Sequence, residues 1–475
     1  MAEARQPIAA LVSLGCPKNL VDSERMLAEI ALGGFAVSAE PDGADLAVVN
    51  TCAFIDLARA EADEVIAQME QLKRAGRLGR LVVAGCMAQR EGASLLARHP
   101  GVDAVAGLAE RENLADLCRA LLQTQAERQP IVRVGAVPSS APDDLQRLRL
   151  TPRHYAYLRI TEGCDNRCAY CAIPAIRGPL RSKPPDAVLA EAEELVADGA
   201  KELVLIGQDT TAYGRERDDG WTLALLLARL REESGAAWIR LMYTHPAAFT
   251  EEVIAELARG LPIVPYVDLP LQHASDPILA SMGRRVTHAG VEQLLERLRR
   301  AVPGLALRTT FIVGYPGETQ KDFESLLALV RKVRFDHVGV FLYSPEDGTR
   351  AAGLPHQVSA EVRRERWERL MRLAKRLAHD AARRMVGRQL AVRVDGPASA
   401  DSPGEADGPA EEAGHLAARH AGQAPEVDSV VLVRAKGTGG RAKPGDELTV
   451  RIVAAKGYDT VGEVVRSAGE GDAKP

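Results

Sequence analysis

Residues 155–171 read Tyr155-Ala156-Tyr157-Leu158-Arg159-Ile160-Thr161-Glu162-Gly163-Cys164-Asp165-Asn166-Arg167-Cys168-Ala169-Tyr170-Cys171. A run of strand length leads straight into three cysteines spaced C-x3-C-x2-C. Three thiols on so short a loop can converge on one four-iron cluster. A structural zinc would want a fourth Cys or His close by, and the nearest, His154, lies on the far side of the strand. Three ligands where four irons need them leave one iron open to a small molecule.

Downstream of this loop the same alternation repeats. Strand candidates at Tyr155–Ile160, Leu203–Ile206, Trp238–Tyr243, Val267–Leu271, Leu307–Val313 and Val338–Tyr343 are separated by helical stretches 186–198, 223–233, 251–259, 289–301 and 320–332. Six βα units predict an incomplete version of the eight-fold barrel, with its active groups at the carboxyl ends of the strands. Upstream, Ile8–Leu14, Leu46–Val49 and Leu81–Ala84 read as buried strands. Segments 56–74 and 110–122, the latter opening after Gly107, read as helices. This predicts a first α/β domain with a parallel sheet over residues 1–140, and the Pro- and Ser-containing stretch 124–150 reads as linker.

That first domain carries its own cysteines. Cys16, Cys52 and Cys86 each close a strand, 36 and 34 residues apart. In a parallel sheet all three fall at the carboxyl edge, where open α/β sheets place their sites. Gly15 and Gly85 give the backbone room for a bulky group. A lone cysteine is usually a packed core residue; three in the same structural phase predict a second three-thiolate cluster. Cys118, inside a helix and without companions, reads as such a core thiol.

The rest of the chain bounds the answer. At 475 residues, with 46% hydrophobic and 26% charged, it can bury a large core. Aromatics at 4% disfavour stacking platforms for single-stranded nucleic acid, and the net charge of −5 argues against a basic coat. Seven cysteines are too few for a disulfide scaffold. Neither a bilayer-spanning run nor a positive secretory start is present, so a cytoplasmic location without membrane contact is expected. Residues 360–387 form an arginine-rich helix, read as a solvated face, closing a barrel domain of residues 150–385. Runs at Leu390–Val394, Val430–Val433 and Leu448–Val453 predict a small antiparallel β-barrel over 386–470, interrupted by an acidic, Pro/Gly-rich loop at 396–414 read as disordered. Gly437-Thr438-Gly439-Gly440 lacks the strand-to-helix context of a nucleotide loop.

The Cys164–Cys171 loop resembles the signature of the radical S-adenosylmethionine (radical SAM) superfamily. The resemblance implies that the open iron chelates SAM, that reductive cleavage yields an adenosyl radical able to take hydrogen from an unactivated carbon, and that Tyr170 lies beside the adenine. Two three-cysteine sets in this order, followed by a small β-barrel, resemble the methylthiotransferases over nearly the whole chain, and imply that the last module is TRAM-like and OB-like. Ser13-Leu14-Gly15-Cys16-Pro17-Lys18-Asn19, Leu20-Val21-Asp22-Ser23-Glu24, Gly207–Gly214 and Pro270–Asp276 are similar to the branch that modifies an aspartate of small-subunit ribosomal protein twelve.

The resemblance implies two 4Fe–4S clusters on Cys164, Cys168, Cys171 and on Cys16, Cys52, Cys86. It also implies SAM contacts from Gln208, Asp209, Gln272, His273, Gly314, Gly317 and Glu318, a reductant such as flavodoxin, and a methylthio group added to the aspartate β-carbon. The C-terminal module, with 11 Lys and Arg against 14 Asp and Glu over 388–475, suits a basic protein substrate better than phosphate. Methylthiolation of adenosine in transfer RNA stands as the alternative within the family. A non-catalytic iron–sulfur electron carrier or redox sensor stands as the alternative of a different class.

Overall fold

The computed structural model describes residues 5–123, 129–398, 415–434 and 442–465. The first sheet contains β1 (Ile8–Ser13), β2 (Ala36–Ser38), β3 (Leu46–Thr51), β4 (Arg80–Gly85), β5 (Ala104–Ala106) and β6 (Ile131–Arg133), all parallel, in spatial order β2-β1-β3-β4-β5-β6. Strand side chains alternate between two layers of helix. Leu46 and Val48 pack with Ile30 and Leu117 on one face, and Ala47 and Val49 with Ile66 on the other. Cys118 is fully buried in the first of these layers, and burial pushes its thiol up to about 12. The expected helix at 110–122 opens as a 3-10 turn, Leu108–Asn113, and becomes α-helical over Leu114–Leu122. Within the stretch read as linker, β6 completes the sheet.

The second sheet starts with β7 (Tyr155–Arg159). A short hairpin pair, β8 (Thr161–Glu162) with β9 (Arg181–Ser182), brackets the cysteine loop. Then follow β10 (Glu202–Ile206), β11 (Trp238–Leu241), β12 (Ile263–Asp268), β13 (Ala306–Val313) and β14 (His337–Leu342). All are parallel in the order β14-β13-β12-β11-β10-β7, so the six-fold barrel is open between its end strands. Four of its helices start on hydroxyl caps: Thr222, Thr250, Thr287 and Thr319 each accept a first-turn amide. β12 begins four residues before the expected Val267. Its Pro265 has no N–H to give a central ladder, and the pairing with β11 shifts register there.

The arginine-rich helix Ala360–Met385 lies along the barrel. It buries Leu370, Leu373 and Leu377, and Arg366 and Arg363 donate to the carbonyls of Glu318 (3.0 Å) and Tyr343 (2.7 Å). One face of it is therefore structural rather than solvated. The last five strands are β15 (Gln389–Pro397), β16 (His415–His420), β17 (Val431–Arg434), β18 (Glu447–Lys456) and β19 (Asp459–Val464). They close a barrel in the order β15-β16-β17-β19-β18, antiparallel except for the parallel pair β17 and β19. The acidic loop from residue 399 and Gly437–Gly440 lie outside the described residues.

The loop after β16 plugs the floor of the six-stranded barrel. Ala421 and Ala424 join Tyr155, Tyr157, Trp238 and Tyr266 in one apolar cluster. Glu426 accepts from the hydroxyls of Tyr155 (2.6 Å) and Tyr157 (2.8 Å), and Asp428 from Tyr266 (2.8 Å). Among the described residues no helix is long and apolar enough to cross a membrane.

Candidate active site

Three neighbouring strands of the first sheet end in cysteine. β1 leads through Leu14 and Gly15 to Cys16, β3 to Cys52 and β4 to Cys86. Because these strands are adjacent and parallel, the three residues meet at one edge. Gly15 and Gly85 both hold φ +89. A Cβ on Gly15 would stand 2.6 Å from the Cys52 Cβ and 3.0 Å from its Sγ; one on Gly85 would overlap Asn50 Oδ1 and lie 2.7 Å from the Thr51 carbonyl. Burial pushes the Cys86 thiol up to about 12 and the Cys52 thiol upward, and Cys16 adds to both. At Cys16 burial is outweighed by Lys18 and Arg177, which hold the thiol below its ordinary value. Two such buried thiols ionise when a metal supplies the compensating charge.

The second set lies on the loop between β8 and β9, gripped from several strands. Asp165 accepts the Leu180 N–H (2.9 Å) and Asn166 donates to Asp209 (2.6 Å). The Ala169 N–H meets the Met282 carbonyl (2.8 Å). Gly163 precedes Cys164 with φ +76, and a Cβ there would collide with the Pro179 carbonyl. Burial pushes Cys164 up to about 11 and Cys171 up to about 12. Arg284 stands 3.9 Å from the Cys168 Sγ. Tyr170 packs beside Ile278, Met282, Tyr315 and Tyr343. Among the described residues no group of three or more His, Cys, Asp or Glu is arranged for a single metal ion. The donor sets, all sulfur and three by three, fit clusters with several metal corners.

The remaining expected cofactor residues divide. Asp209 braces the cysteine loop through Asn166 and holds Thr211 (2.5 Å). Glu318 accepts the amides of Gly314 and Tyr315, and a Cβ on Gly314 would collide with the Arg363 side chain. That glycine makes room for the long helix. Gly317, with φ +80, has open space around it, and Gln272 holds φ +72 just past β12. His273 is fully buried, its Nδ1 accepting from the Ser275 N–H (3.0 Å). Yet Gln208 Oε1, His273 Nε2 and Glu318 Oε1 are buried polar atoms without hydrogen-bond partners, the last two facing one another at 3.7 Å. Three such atoms past barrel strands are what a polar cofactor such as SAM would satisfy.

Residues outside the motifs join the two sets. Arg177, six residues beyond Cys171, donates to the Cys86 Sγ (3.2 Å), to Asp22 (2.9 Å) and to Glu162 (3.0 Å). It belongs to a buried seam between the domains in which five cations (Arg111, Arg147, Arg159, Arg177, Lys183) meet five anions (Asp22, Glu24, Asp144, Glu162, Glu191). Burial raises the Asp22 carboxyl, but Arg111, Arg159 and Arg177 hold it well below the usual carboxylate range. Spacing could not reveal this seam, because most of its partners lie far apart in the chain; Asp22 and Glu24 in a family-like stretch are the hints the sequence offers.

The fold, with its thiol loop at the mouth of an open six-stranded barrel, defines a radical SAM enzyme. Residues 158–330 match the Radical SAM superfamily, 9–107 the family described as Uncharacterized protein family UPF0004, and 386–465 the TRAM domain. The chain belongs to the family of ribosomal protein uS12 methylthiotransferases, RimO. It is 43% identical over 465 residues to the RimO of Syntrophus aciditrophicus, covering 98% of this chain and 99% of that one. It is also 43% identical to that of Anaeromyxobacter sp. strain Fw109-5, covering 96% and 92%. Among solved structures, the radical S-adenosylmethionine methyltransferase TsrM from Kitasatospora setae shares the fold, with a TM-score of 0.51, 16% identity and coverage of 70% of this chain and 73% of that one.

Proposed function

We propose that the protein adds a methylthio group to the β-carbon of an aspartate in ribosomal protein uS12. The observation that carries this reading is the pair of three-thiol sets on two sheet edges joined by Arg177, in a chain of the RimO family. Cys164, Cys168 and Cys171 would hold one 4Fe–4S cluster, and Cys16, Cys52 and Cys86 the other. When bound, the clusters and SAM supply hydrogen abstraction from the substrate carbon, the sulfur and the methyl group. The chain's own residues position them. Gly15, Gly85 and Gly163 let backbone approach the thiols. Asp209 and Glu318 stiffen the loops around the mouth, and Gln208, His273 and Glu318 offer unpartnered polar atoms to SAM. The buried seam fixes one domain against the other and keeps water from between them.

Tasks divide by domain: sulfur donation in residues 1–140, radical generation in 150–385, and substrate grip in the β-barrel of 386–470, whose acidic balance suits a basic protein. The reading carries with it a cytoplasmic location and a reductant such as flavodoxin. Anaerobically reconstituted protein given SAM, reductant and either uS12 or transfer RNA tests it. Modified uS12 and 5′-deoxyadenosine are expected; modified transfer RNA with untouched uS12 would sink it. Replacing Cys16, Cys52 and Cys86 together by Ala is expected to halve the iron yet spare SAM cleavage. Full iron in that variant would remove the second cluster from the account.

A further inference from the structure

Lys18 lies in the first turn of the helix Pro17–Leu32, two residues from Cys16, and is only 8% exposed. Its ammonium stands 3.3 Å from the centroid of the Tyr243 ring. Tyr243 comes from the other domain, just past β11, and holds φ +58, a left-handed conformation that bulky residues seldom adopt. Asp268 accepts its N–H at 3.0 Å, and the Thr210 N–H donates to its carbonyl at 3.0 Å. The ring is thereby fixed where the N-terminal thiols meet the barrel's strand ends, and strain of this kind gathers at functional sites.

The five cations of the buried seam all have carboxylate partners. Lys18 makes no ion pair with a carboxylate among the described residues: Tyr243 and Cys16 favour its charge, and the buried Asp268 carboxylate, within electrostatic reach of Lys18, is itself paired with Arg308 at 3.7 Å. A ring face offsets part of the cost of burying an ammonium, but a carboxylate brought to it would gain a charge-assisted hydrogen bond in a water-poor place.

We propose that Lys18 receives the side-chain carboxylate of the substrate aspartate, resting on the function proposed above. The carboxylate is bonded directly to the β-carbon. Anchoring it therefore fixes the reacting carbon within one bond, beside the Cys16 set and facing the barrel mouth. Lys18 becomes the residue that selects an aspartate over its neutral isostere.

The test is a cycle on the reconstituted full chain, with two labelled uS12 peptides that carry Asp or Asn at the target. Binding is read by fluorescence anisotropy, and iron, sulfide and peptide-free SAM cleavage are measured alongside. Wild-type protein is expected to bind the Asp peptide about 10- to 100-fold more tightly. Lys18→Met is expected to bind both peptides alike, at the wild-type Asn level, with peptide-free SAM cleavage kept; Lys18→Arg keeps the preference. An undiminished preference in Lys18→Met overturns the proposal, as does a wild-type protein that does not distinguish the peptides. Loss of SAM cleavage in Lys18→Met with iron intact also overturns it, by assigning Lys18 to the cofactor. If Lys18→Met loses iron, Lys18→Arg with full iron decides: a lost preference overturns the proposal. Wild-type protein that binds neither peptide and leaves uS12 unmodified is the separate failure of the underlying reading.

Discussion

Arg177 belongs by sequence to the loop of one thiol set and bonds by geometry to a sulfur of the other. Its partner Asp22 lies 155 residues away, which is why no local pattern could announce it. The cysteines were legible because C-x3-C-x2-C is a spacing, and spacings survive in one dimension. A guanidinium that serves two carboxylates and a thiol is visible only once the chain has folded. Truncating it leaves buried carboxylates short of donors, so Arg177→Ala is expected to lose about 3–5 kcal/mol of stability. Urea unfolding of the cluster-free protein measures this without interference from iron. A loss below about 1 kcal/mol would mean that Arg111 and Arg159 suffice for Asp22 and Glu162.

Among the elements, the strand ends of the first sheet do the most exacting work. Gly15, Gly85 and Gly163 each stand immediately before a cysteine with positive φ, a recurring strand–glycine–cysteine turn of which only the first two were legible as such. Gly85→Ala would force a methyl group onto Asn50 and the Thr51 carbonyl. It is expected to take the iron content down toward half, as in the Cys16/Cys52/Cys86 triple variant, while peptide-free SAM cleavage persists. Iron analysis beside a 5′-deoxyadenosine assay checks both halves. Elements were misplaced where the pattern is short or broken. β2, β5 and β6 have three residues each, too few for periodicity to register. Pro265 disguised the first half of β12, because a proline in a central strand argues against a strand until the register shift is seen.

For the molecule as a whole, the architecture of three α/β and β modules followed from alternation of apolar runs, whereas their docking did not. β16 and β19 give a weak pattern because their buried residues include Ala417, Ala418 and Gly462, which carry little hydrophobic signal. The docking surface also holds a titratable centre. His420 is half-buried with its Nδ1 accepting the Gly422 N–H (3.0 Å); desolvation, with His337, Arg240 and Arg419 nearby and against Asp428, lowers its pKa from 6.5 to about 3. A histidine kept neutral in the folded protein takes up a proton more readily when unfolded. Its contribution is therefore present above about pH 6.5 and is lost as pH falls toward about 3. His420→Asn is expected to show a shallower drop in melting temperature across that window than wild type. Parallel slopes in thermal melts would count against the assignment.

The plug under the barrel also sets an order in time. Tyr155 and Glu426 are 271 residues apart, and contacts of such separation are closed late and at an entropic cost. During synthesis the barrel strands leave the ribosome well before the segment that floors them. Until residues 421–428 arrive, Tyr155, Tyr157, Trp238 and Tyr266 line an unfinished cavity. The last module is thus the keystone of a vectorial assembly: a chain released early would carry its thiol loops intact and still present an open aromatic floor to any chaperone that surveys it.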